Sequence, residues 1–231
     1  MSATETILYR FHLPEGPQEI TLTFAAEDFT LIPHALDPLP DWVRLDHHKC
    51  EHCPLTSDRH PTCPLAAAMA GYIEVFDRFY SYEEAVVEVV TKNRTVVGKM
   101  ALQRGMASMV GLIGATSGCP HLSFFRAMAR FHLPFARDDE TLYRLFSMYL
   151  LMRHLEGHEI PPGEGAFAHL EKLSSAATLV NACMAQRVRS AFAKDVVVNA
   201  IIVLDSFAQA VPFVIEEKLE ELRAMFGASS F

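Results

Sequence analysis

Three cysteines and four histidines crowd into the twenty residues DHHKCEHCPLTSDRHPTCPL, from Asp46 to Leu65. A segment so short and polar cannot serve as core, and its thiols and imidazoles form a metal-ligating set. Cys50 and Cys53 stand at the Cys-x2-Cys spacing that lets two thiolates on a tight turn reach one tetrahedral ion at Zn–S distances of about 2.3 Å. Nine residues separate Cys53 from Cys63, and Cys119 stands far downstream in SGCPH. The expectation is one metal site built from Cys50, Cys53, Cys63 and Cys119. His47, His48, His52, His60 and His121 are candidates to replace a thiolate or to support the ligands by hydrogen bonds.

The prolines sharpen this expectation. Cys63-Pro64 and Cys119-Pro120 each open a predicted helix with proline at its first position. A thiol placed there faces unpaired N–H groups and the positive end of the helix dipole, which favours the thiolate that binds metal. The alternative for Cys119 is an inert core thiol, and Cys183 in LVNACMAQ reads as packing alone. His12, His34, His132, His154, His158 and His169 lack ligand company and read as surface or capping residues.

The pattern around the cysteines is that of an α+β protein. Residues 6–13 and 19–24 flank Pro14-Glu15-Gly16-Pro17 and form a predicted hairpin, with a short strand near 29–32. Residues 85–91 and 94–99 alternate around Lys92-Asn93 as a second hairpin, which argues against reading Ser81-x-x-Glu84 as a helix cap. The two hairpins are expected to share one antiparallel sheet. A helix is expected from about residue 65 to 79, and after Met100 the chain becomes helical: 101–117, 121–132, a helix opened by Asp138-Asp139-Glu140, 165–192 and 195–226. Gly157 and Pro161-Pro162-Gly163 mark a loop, and Pro212 a kink in the last helix. Gly105, Gly111 and Gly114 within one helix imply close backbone packing. The expected organisation is a sheet-containing region, 1–100, carrying the metal loop at 46–65, and a helical region, 101–231, in one globular unit. The pentapeptide RFHLP, at 10–14 and 130–134, has dissimilar flanks and is not a repeat.

Composition narrows the function classes. With 231 residues, half of them apolar, the chain can bury a substantial core. A formal charge of −8 argues against a nucleic-acid surface, and Arg187, Arg189 and Lys194 read as a solvated helix face. The apolar run Val196–Ile215 is broken by Asn199, Asp205, Gln209 and Pro212, so a buried helix is expected there and not a membrane span. No signal-like N-terminus is present, and five cysteines in that context imply a reducing, cytoplasmic setting. Leu219, Leu222 and Phe226 offer a stripe for a homodimer or protein partner, or plain core.

Zinc is the first expected occupant, in a structural or sensory site closed by four cysteines or by three cysteines and one histidine. The competitor is a four-iron iron–sulfur cluster, since proline after a ligating cysteine is a ferredoxin habit; against it, clustered histidines have no task around an all-thiolate centre. Cys50 and Cys53 as a redox-exchange pair belong to the same class. The third class is a zinc-dependent hydrolase with Asp46, Glu51 or Asp58 as base. No nucleophile–base set, phosphate loop or protease motif is visible, so no catalytic residue is assigned and a non-enzymatic role is favoured.

Overall fold

The computed structural model describes residues 3–34, 36–158 and 166–227. It is an α+β fold: a five-stranded antiparallel sheet followed by a mainly helical half. The strands are β1 (Thr4–Leu13), β2 (Gly16–Ala25), β3 (Leu31–Ile32), β4 (Glu84–Val90) and β5 (Thr95–Ala101), in the order β3-β2-β1-β4-β5. Both hairpins therefore lie in one sheet, joined where β1 pairs with β4 from Leu8↔Val90 to His12↔Val86. The first reverses at Pro14-Glu15, with Leu13 opposite Gly16, whose φ of 115° suits a residue without Cβ.

Alternation decides which face of the sheet is covered. Ile7, Tyr9, Phe11 and Leu13 of β1, Leu22 and Phe24 of β2, and Ala85, Val87 and Val89 of β4 are all buried. Against them lie α1 (Pro64–Ile73) and α2 (Leu102–Thr116). The glycine-rich helix does approach its neighbour closely: a Cβ on Gly105 would stand 2.8 Å from Val87 Cγ2 and 3.2 Å from Phe11 Cε1. On its other side α2 meets α6 (Val196–Phe226), which in turn packs on α5 (Ala168–Ala191).

The remaining helices are α3 (Arg126–Arg130) and α4 (Asp138–Leu155). Helix α4 begins where the acidic run predicts, with Glu140 accepting from the Arg137 N–H at 2.8 Å. Its face of Leu142, Leu145, Phe146 and Tyr149 forms a smaller core with Phe167, Leu170, Val211 and Ile215, and Leu219 and Leu222 pack against it. These two leucines, two of the three residues of the proposed partner stripe, thus lie on core, whereas Phe226 is exposed.

One expectation about the helices needs correction. The helix expected over 121–132 is a turn, a 3-10 segment at Ser123–Phe125 and the five-residue α3. Helix α6 contains Pro212 and spans Val196–Phe226, as the expected last helix does. By length and composition Val196–Ile215 could cross a membrane, and 33% of its most apolar window is buried. The Pro161-Pro162-Gly163 loop lies outside the described residues.

Candidate metal centre

The cysteine loop is held at both ends. Before it, Asp41–Val43 makes a 3-10 turn that buries Trp42 and Val43. After it, the chain returns alongside: the Cys63 N–H donates to the Val43 carbonyl at 2.8 Å, the Leu45 N–H to Pro61 at 2.9 Å, and Arg44 bridges Thr62. Within the loop, the Cys53 N–H donates to the Cys50 carbonyl at 3.0 Å, the tight turn expected of Cys-x2-Cys. Lys49 Nζ closes the next turn on the Leu55 carbonyl at 2.6 Å.

Arg187 of α5 anchors this strap. It is 1% exposed, and it donates to three carbonyls: Trp42 at 2.9 Å, Arg44 at 2.7 Å and Leu45 at 2.7 Å. The expected solvated basic face therefore fails at its first member. A guanidinium with five N–H donors can be buried without a carboxylate when carbonyls meet its fork. Arg189 remains exposed.

All five cysteines are free thiols, Cys119 buried and the others half-buried. Cys63 caps α1 with Pro64 at its first turn, as expected. Cys119 opens only the irregular turn before α3, where the N–H groups of Leu122 and Ser123 return to its carbonyl at 3.1 and 3.0 Å. The expected lowering of its pKa is not found. The N–H groups of His121 and Leu122 favour its thiolate, but burial outweighs them and pushes the thiol up to about 11. Cys63 and Cys53 are close enough to add to the rise. Burial also drives Cys50 far above its ordinary value, reinforced first by its hydrogen-bonded neighbour Cys183, then by Cys63 and Cys119.

The distant thiols thus come within electrostatic reach of one another. Cys183, assigned to packing from the sequence, is a member of the same cluster. Its signal was its place one helical turn from Arg187 on α5, a relationship that means nothing until the strap is located. Among the described residues, no group of three or more His, Cys, Asp and Glu side chains is arranged to hold a metal ion.

The histidines have other work. His121 Nε2 meets the His52 carbonyl at 3.0 Å and its ring lies on the His52 ring at 3.9 Å, joining the turn after α2 to the cysteine loop. Neither His52 ring nitrogen makes a well-formed hydrogen bond among the described residues, although the Ala176 backbone is close enough to act on the ring. Desolvation, then the His121 charge, lowers its pKa. His47 Nε2 pairs with Ser190 Oγ at 2.8 Å, and its ring stands edge-on to that of His48. His48 and His60 are exposed, as are Asp46, Glu51 and Asp58, the carboxylates considered as hydrolytic bases.

The fold and this cluster describe an α+β protein that gathers free thiols where the strap meets the start of α1, the turn after α2 and α5. Over residues 7–227 the chain matches, and belongs to, the family described as a domain of unknown function (DUF6901). No curated protein and no solved structure matches it.

Proposed function

We propose that this is a metal–thiolate protein in which Cys50, Cys53, Cys63 and Cys119 hold one redox-active centre, with Cys183 beside it. The observation that carries this reading is the mutual proximity of Cys119 to Cys53 and Cys63, and of Cys50 to Cys63, Cys119 and Cys183. Buried thiols so grouped resist ionising, and a cation among them reverses that preference because the thiolate is the ligand.

A four-iron cluster fits better than the zinc expected from sequence. His47 and His121 are engaged elsewhere, which removes the argument that the imidazoles need a task. Among the described residues the thiols do not form a closed metal-holding group, so the cluster reading rests on their proximity and on the all-thiolate ligation such a centre takes. The role that follows is electron carriage or redox sensing. A single zinc ion is the second reading, favoured by His52, whose ring nitrogens are open to a ligand role.

Metal analysis and an absorbance spectrum on protein purified without oxygen test the proposal. Iron near four per chain, with broad visible absorption that bleaches on reduction, is expected. One zinc and no visible band replaces the cluster with a structural site, and protein free of both metals overturns both readings.

A further inference from the structure

A cavity of about 490 Å³ lies between α2, α3, α5 and α6, within the range of about 300–1,000 Å³ usual for small-molecule sites. Its two ends differ in chemistry. At one end Arg104 and Ser108 stand a helical turn apart on α2, and His132, tied to Ser108 through the Tyr9 hydroxyl, and Arg144 line the same cavity. At the other, Gly114, Ala115, Leu65, Leu122 and Met184 present apolar surface. From residue 104 to 115 the helical rise amounts to about 16 Å, long enough for an extended acyl chain.

The polar end is a built cluster. The Tyr9 hydroxyl is fully buried and shares hydrogen bonds with Ser108 Oγ at 3.0 Å and His132 Nε2 at 2.6 Å. Arg144 is braced by the carbonyls of Met128 and Phe131 at 2.9 and 2.8 Å, and its charge reaches His132. Neither Arg104 nor Arg144 has an ion-pair partner among the described residues, though Glu140 lies near enough to Arg144 to act on it. Lys99 also lines the wall but is offset by Glu84 at 2.9 Å, which leaves Arg104 and Arg144 against the single lining carboxylate Asp138. The whole chain has a net charge of −8, so this local excess of positive charge is a property of the cavity.

We propose that the cavity binds an amphipathic anion, a linear acyl chain with a carboxylate head, its head at Arg104 and Arg144 and its tail running along α2 towards Leu65 and Met184. This site is independent of the metal reading.

Calorimetric titration with decanoate, decanol and decyltrimethylammonium tests it, with methionine methyl resonances to place the ligand. Decanoate is expected to bind at least roughly tenfold tighter than decanol, the size of one charge-assisted hydrogen bond, and the ammonium compound weakest. The signals of Met100, Met128 and Met184, which line the cavity, should shift while that of Met225 stays. Arg104 is exposed and has no ion pair among the described residues, so Arg104→Gln should fold normally and weaken decanoate while leaving decanol unchanged. Equal binding of decanoate and decanol, preference for the cation, an unchanged Arg104→Gln variant, or no binding by any of the three overturns the proposal.

Discussion

Arg187 Nη2 donates to the Leu45 carbonyl at 2.7 Å across 142 residues of sequence, and this contact, with its two companions, fixes where the cysteine loop starts. Replacing Arg187 by alanine leaves the Trp42 and Leu45 carbonyls without a donor and the Arg44 carbonyl with only the His47 N–H at 3.2 Å. At about 1–3 kcal/mol for each unsatisfied buried group, with partial relaxation, the loss is expected near 3–5 kcal/mol. Urea unfolding measures it. Lysine should rescue little, because one ammonium cannot reproduce the planar fork, and an unaltered midpoint for either variant would contradict the clamp.

Gly105→Ala puts two effects in opposition. Alanine gains about 1 kcal/mol of helix propensity. Its Cβ would meet Val87 Cγ2 at 2.8 Å, and overpacking typically costs about 1–3 kcal/mol. A β-branched side chain fixed in the sheet has little room to yield, so net destabilisation is expected in a thermal melt.

The buried Tyr9 network predicts a pH dependence. Desolvation, then the charges of Arg144 and Arg94, lowers the His132 pKa to about 3 from 6.5. The unfolded chain thus binds this proton first as the pH falls. Stability supplied by neutral His132 is complete above pH 6.5 and is lost progressively between pH 6.5 and 3, at up to roughly 1.4 kcal/mol per pH unit. A His132→Gln variant should show a flatter profile over that window. Tyr9→Phe, which strips His132 and Ser108 of a partner, should cost about 1–3 kcal/mol.

Alkylation of metal-free protein probes the thiols directly. With its pKa pushed up to about 11, Cys119 should react at pH 8 at least about a hundredfold more slowly than a free cysteine of pKa about 8.5. Mass spectrometry of timed samples reads each site, and fast labelling of Cys119 would show that its surroundings are wetter than described.

Local chemistry carried the sheet and much of the helical half. Alternation in ILYRFHL and AVVEVV, with Pro14, Gly16 and Asn93 at the turns, is a short-range signal that neighbouring strands satisfy without distant help. The same holds for Cys63-Pro64, whose cap geometry depends on four residues. Cys119-Pro120 resembled it, yet there the chain makes only a turn and a 3-10 segment before α3. Arg187 and Cys183 were illegible for a different reason. Helical periodicity says which side chains share a face, and nothing in it says that this face meets a strap some 140 residues upstream.

The strap sets an order of events during synthesis. Cys50, Cys53 and Cys63 emerge early, while the guanidinium that closes over their approach belongs to α5. Until that helix has left the ribosome, the early thiols are open to oxidants and stray metals. On the proposed metal–thiolate reading, loading is therefore a late step, after most of the polypeptide has been made.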